Sequence, residues 1–260
     1  PSPIEEYCKK NKISFRNPEI LNTQEELKIF KELSANLIIV VAYGKIIPKN
    51  FLNKTKFGFI NIHASLLPKW RGAAPIQRAI MNGDKKIGVS IMKIEEKLDS
   101  GPILASKEFA LDINENHGEI EKKLSLEGAN LLIQSLKSIE SGNAKFLNQD
   151  SNKATYAKKI DKNETKINWN KDANKVLAHI HGLSPNPGAW FEFNKERFKV
   201  LKAKILPENG ESSYVLDDHL TVGCKSGAVQ ILEIQRQGKK KQTTKEFLLG
   251  KKITKGMILV

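Results

Sequence analysis

What the chain has little of narrows its class before any motif is read. Only two cysteines occur in 260 residues, Cys8 and Cys224, far apart and in no metal-ligand spacing. That argues against a disulfide framework or a thiolate metal site and leads to reduced thiols and a cytoplasmic location. No run of ~18 apolar residues exists, so no membrane span is expected. There is no internal repeat, Gly-rich phosphate loop, CxxC pair or GxSxG elbow, which leaves nucleotide-loop, thiolate-metal and serine-hydrolase readings without support. His179 and His181 flank Ile180, a spacing that does not face two helical side chains together, so no metal is expected.

Acidic side chains are also scarce. The 29 Asp and Glu face 43 Lys and Arg, for a net charge of +14. The deficit is uneven: residues 1–150 carry a basic surplus of 4 and residues 151–260 one of 10. A basic second part attracts polyanions, although a lysine-rich composition alone would also produce it. Otherwise 40% hydrophobic and 28% charged residues describe an ordinary globular chain, long enough for one large or two modest domains.

The periodicities that are present change character along the chain. Ile4–Lys10 is the first periodic segment, and Thr23 and Glu26 have capping-box spacing ahead of a helix running to about Leu33. The continuous run Leu37–Ala42 suits a central parallel strand buried on both faces. Strands are expected at Ile87–Ile94 and Ile103–Ala110, with a helix from about His117 to Ser141 stopped by Gly142. His117 is expected on the surface of that helix start. Residues 143–163 are polar and lysine-bearing, as an interdomain linker is. A helix at Ala173–Gly182 follows, then short strands at Ala189–Phe193, Phe198–Ile205, Tyr214–Leu216, Leu220–Cys224 and Ala228–Ile234. Five short strands with regular turn signals favour a small barrel.

The stretch from Phe57 to Ile80 is the most informative. Phe57–His63 reads as a strand whose Asn61 and His63, two apart, share one face at its carboxyl end. Ser65-Leu66-Leu67-Pro68-Lys69-Trp70-Arg71-Gly72 is a loop, and Pro75 suits the first turn of a helix. Strand, polar pair, loop and helix in that order place a site at the strand ends of an α/β sheet. Asn61, His63, Ser65, Leu66, Leu67 and Pro68 together resemble the Asn-x-His-x-Ser-Leu-Leu-Pro motif of the folate-dependent formyltransferases. The continuation from Trp70 to Gln77 is similar to the branch that formylates methionyl-tRNA. Glycinamide ribonucleotide, sugar-nucleotide and formyl-hydrolase relatives share only the first part.

The resemblance implies more than the spacing does. Asp99, in Leu98-Asp99-Ser100-Gly101, is on its own most simply a turn former; the family's Leu-Asp-x-Gly motif makes it the third catalytic group beside Asn61 and His63. The cofactor implied is 10-formyltetrahydrofolate, with Ser65–Pro68 and the loop residues Lys45, Ile46 and Ile47 at its pocket. The partner implied is initiator methionyl-tRNA, contacted by Arg71 and by Arg236, Lys239, Lys240 and Lys241 of the densest basic run, which otherwise reads as a solvated loop. The expected architecture is therefore a Rossmann-like open parallel sheet over residues 1–142, a linker at 143–163 whose Tyr156 and Ala157 dock back, and an oligonucleotide-binding-like (OB-like) barrel holding tRNA at 164–260. Members reach a Pro-Ser-Pro like Pro1–Pro3 only after a strand, a turn, a helix and a second strand, so about one-fifth of a complete protein is expected to precede it. The alternatives are another acceptor amine or formyl-folate hydrolysis, or a tRNA-binding protein without chemistry. A monomer working in translation initiation is the expected context.

Overall fold

The computed structural model describes residues 2–251 and 253–260; Pro1 of the opening Pro-Ser-Pro and Lys252 of the basic tail lie outside the described residues. The chain separates into two compact units, Pro1–Ile60 and Asn61–Val260, and the division falls inside a strand.

In the first unit, helices α1 (Pro3–Lys10) and α2 (Gln24–Glu32) precede strand β1 (Ile38–Val41), helix α3 (Lys49–Leu52) and the start of strand β2 (Phe59–His63). Thr23 caps α2 by accepting from the Glu26 N–H at 3.1 Å. The reciprocal half of the expected box is not made, because the Glu26 carboxylate is taken by Arg16. Phe30 stacks between Phe51 and Phe59, with ring centroids 5.0 and 5.9 Å away, and ties both helices to the strand. β1 lies beside the approach to β2, with Ile38 N–H donating to Gly58 O and Phe57 N–H to Asn36 O. It is not buried on both faces as expected: Ile39 and Val41 are 43% and 56% exposed. A β-branched run satisfies a one-sided strand equally well, and only the packing separates the two cases.

In the second unit, β2 continues through Asn61–His63 and is followed by β3 (Arg71–Gly72), α4 (Pro75–Asn82), β4 (Lys86–Lys93), β5 (Ile103–Ala110) and α5 (His117–Glu140). Pro75 opens α4 and Gly83, in the left-handed region at φ 77°, closes it. β2 neighbours β4, reached through α4 as in a parallel sheet. The β4–β5 pair is antiparallel, so the open parallel sheet expected carries an antiparallel strand at β5. Residues 94–102 reverse the chain but are too few for the crossover of a dozen or more that a parallel neighbour needs. α5 starts on a full capping box between Asn116 and Glu119. His117 at its first turn is buried rather than on the surface, and burial lowers its pKa.

Past α5, β6 (Tyr156–Ala157) pairs in parallel with β3, so the linker is stitched to the signature loop. Arg78 of α4 clamps it further, donating to Glu164 from two nitrogens and to the carbonyls of Lys158 and Lys159. Then come α6 (Ala173–Leu183), β7 (Ala189–Phe193), β8 (Glu196–Leu206), β9 (Thr221–Gly223), β10 (Ala228–Arg236), β11 (Lys241–Thr243) and α7 (Thr244–Gly250). The sheet runs β11-β10-β8-β7, with β9 also on β10, all antiparallel. Residues 214–216 form bridges, not the strand expected: Tyr214 pairs with Ile258 and Val215 with Val222. β7 in turn exchanges hydrogen bonds with Val260 through Glu192. The core is aromatic, with Trp169, Phe191, Phe198 and Phe247 in successive ring contacts of 5.5–6.3 Å. Among the described residues no helix is long and apolar enough to cross a membrane.

Candidate active site

β2 delivers its two polar side chains at its carboxyl end because a strand sends alternate residues to the same face. His63 is 6% exposed, a burial that demands partners for its ring. Nε2 lies 2.9 Å from the carbonyl of Trp70, which only an N–H can approach, so that nitrogen donates. Nδ1 lies 3.7 Å from Oδ2 of Asp99. Both nitrogens thus face oxygen atoms, Nδ1 at more than hydrogen-bond distance. The side-chain amide of Asn61 makes no hydrogen bond among the described residues, leaving two donors on that face of β2.

Asp99 is held as tightly as the histidine. Its backbone is left-handed, at φ 46°, and its Oδ2 accepts from the Gly72 N–H at 2.8 Å. Gly72 sits at φ 122°, and a Cβ there would lie 2.7 Å from the Ala157 carbonyl. The last residue of the Leu-Asp-Ser-Gly motif has a steric reason too: a Cβ on Gly101 would stand 2.0 Å from Lys93 O.

The rest of the signature is consumed in shaping the loop. Ser65 Oγ donates to Lys69 O at 2.6 Å, and Ser90 Oγ donates to Ser65 O while accepting from the Leu67 N–H. Leu66 turns its side chain onto Gly88 of β4, and the Leu67–Pro68 peptide is cis. Polar groups of Ser65 and Leu67 are therefore satisfied internally. Sequence reasoning missed Ser90, whose only signal was a polar residue inside an apolar strand.

The remaining expected site residues scatter. Lys45, Ile46 and Ile47 lie in the loop between β1 and α3 of the first unit, where Lys45 donates to Glu19 O and Ile46 is 91% exposed. Arg71 is a correction: it is 4% exposed, and its Nε and Nη2 donate to Gln149 Oε1 at 3.1 and 2.8 Å, so its charge faces inward rather than toward a polyanion. Arg236 pairs with Glu196 and Lys241 with Glu233, leaving Lys239 and Lys240 at the turn without an ion pair among the described residues. Arg236 also borders a cavity of about 390 Å³ with Lys162, Lys199 and Trp190, whose ring carries Arg197 at 4.2 Å. Burial lowers the pKa values of both His179 and His181.

Two family models match the chain. The formyl transferase model matches residues 1–136, and the formyl transferase C-terminal domain model matches residues 159–252. A methionyl-tRNA formyltransferase of Pelagibacter ubique is 48% identical over 98% of this chain and 83% of its own length. Among solved structures, a methionyl-tRNA formyltransferase from Clostridium thermocellum aligns at TM-score 0.58 and 19% identity over 87% of this chain and 91% of that one. HypX from Aquifex aeolicus, in complex with tetrahydrofolic acid, aligns at 0.66 and 21% over 85% of this chain and 40% of that one. With both family models matching and near-full-length identity of this order, the chain belongs to the formyl transferase family, where it groups with the methionyl-tRNA formyltransferases.

Proposed function

We propose that the chain transfers a formyl group from 10-formyltetrahydrofolate to the α-amine of initiator methionyl-tRNA. The observation that carries the chemistry is the His63–Asp99 pair set beside the free amide of Asn61. The residues fit the donor at its formyl end, since an unpartnered amide is what a developing oxyanion requires. When bound, 10-formyltetrahydrofolate supplies the formyl carbon and a leaving nitrogen. Asn61 donates to the formyl oxygen as the methionyl amine attacks and charge builds there. His63 is held in orientation by Trp70 O and Asp99. The Asp99 carboxylate would take the proton released by the attacking nitrogen, directly or through water, and that proton would pass to the leaving nitrogen as its bond to the formyl carbon breaks. Leu67 and Pro68 are assigned to the pocket wall of the donor.

The second substrate fits the basic end of the chain. The strand path from β7 through β8, β10 and β9 to Val215 and Tyr214 returns through Ile258 to Val260 on β7, which supports an OB-like barrel for residues 164–260. Lys239, Lys240 and Lys241 with Lys162, Lys199 and the Arg197–Trp190 stack supply phosphate contact and a stacking surface. The test is formyl transfer with labelled donor to charged initiator tRNA, beside an amino-sugar nucleotide and water as acceptors. Transfer to tRNA is expected; transfer only to the sugar, or bare hydrolysis, would reassign the acceptor.

A further inference from the structure

Gln149 lies in the polar segment between α5 and β6, 50 residues from Asp99 in sequence, yet its amide joins the two groups that fix Asp99. Its Oε1 accepts both bonds from the buried Arg71 guanidinium. Its Nε2 donates to the Asp99 carbonyl at 2.9 Å and to the Gly101 carbonyl at 2.7 Å. The orientation of the amide follows from chemistry, because guanidinium offers only donors and the two carbonyls only acceptors. The residue beside Arg71 grips the other end of Asp99, where Gly72 N–H binds the carboxylate. Arg71 and Gly72 are themselves held by Tyr156 and Ala157 of the same linker.

We infer that Gln149 is a positioning residue for formyl transfer: with Arg71 it locks the left-handed backbone of Asp99 so that the carboxylate stays on His63. The inference rests on the proposed function above. No other side chain of this length presents an acceptor to Arg71 and two donors to the loop. Glu would turn an oxygen toward two carbonyls, and Met would leave the buried guanidinium unpaired. Released from this clamp, Asp99 is free to leave a conformation that non-glycine residues rarely hold, and the His63 contact goes with it. Through this clamp the segment leading into the tRNA-binding half sets the geometry of the catalytic carboxylate.

The experiment compares Gln149→Glu and Gln149→Met with the parent chain, using Asn152→Ala on the exposed part of the same segment as control. Misplacement of a reacting group by about 1 Å costs about a hundredfold, so kcat should fall by about that factor. KM for donor and for tRNA should stay within about twofold, because Gln149 touches neither. The ring ¹⁵N resonances of His63 should shift in both Gln149 variants and not in Asn152→Ala. A kcat within about threefold of the parent, a loss confined to KM for tRNA, or unmoved His63 resonances overturns the inference. Should Gln149→Met fail to fold, Arg71→Lys, which keeps the buried charge and loses the fork, gives the same readouts. If the parent chain transfers no formyl group, the functional reading fails, while the His63 resonances still decide the positioning role.

Discussion

The signature region and the carboxyl-terminal sheet use polar residues in opposite ways. Around the signature loop several polar side chains go inward: His63, Ser65, Arg71 and Ser90 are buried, and each of these is answered by a named partner. Between Ala189 and Val260 the interior is aliphatic and aromatic, and the cations of the β10–β11 turn stay on the surface. Buried polar groups fix geometry, because each must keep its partner or lose about 1–3 kcal/mol. Exposed cations fix nothing of the kind but set the field outside. The first region holds atoms in place, and the second, under the function proposed above, would hold a polyanion near.

Substitutions on each side sharpen that contrast. Phe191→Ala in the aromatic core should be the costliest, at about 3–5 kcal/mol in a urea titration, while activity per folded molecule changes little. An equal loss of specific activity would merge the two roles. Asn61→Ala should retain the fold but lower turnover by about 10²–10³, the usual cost of one oxyanion donor, as measured by labelled formyl transfer. Turnover within about tenfold of the parent contradicts the assignment. Replacing Lys239, Lys240 and Lys241 together by Gln should leave the single-turnover rate of bound complex unchanged and flatten the salt dependence of tRNA binding by about one unit of slope per lost phosphate contact. An unaltered slope would return that run to plain solvated loop.

The smallest effect is on pH dependence, at the seam between the two regions. His181 of α6 donates from Nδ1 to Ile113 O at 2.8 Å and accepts at Nε2 from the Ala203 N–H. Protonation would set two donors against each other there, and burial lowers its pKa from the ordinary 6.5. The folded protein therefore binds this proton less readily than the unfolded chain. Its contribution to stability is full above about 6.5 and declines as pH falls below, until the folded state also protonates. Burial lowers His117 and His179 in the same direction. The urea midpoint should drop on acidification, and His181→Asn, which keeps a donor for Ile113, should remove part of that drop; an unchanged pH profile in the variant would assign it elsewhere.

Local pattern sufficed for much of this. Asn61 and His63 were fixed to one face by strand alternation, Pro75 marked the opening of α4, and the strands from Ala189 to Ile234 could be read from short alternating runs, apart from the bridges at Tyr214 and Val215. The resemblance of Asn61–Gln77 and Leu98–Gly101 to formyltransferases, carried by motif residues, supplied the candidate chemistry. What the sequence could not display was partnership over distance. Arg71 looked like a surface cation because its acceptor, Gln149, lies 78 residues away; His117 looked exposed because no helical period records what packs on its first turn. Side-chain period and turn chemistry are properties of neighbours in the chain, so sequence alone pointed to most of the elements, to the candidate residues and to the family. Burial and hydrogen-bond satisfaction are properties of neighbours in space, and only the tertiary structure decided which charges face inward and what holds Asp99 against His63.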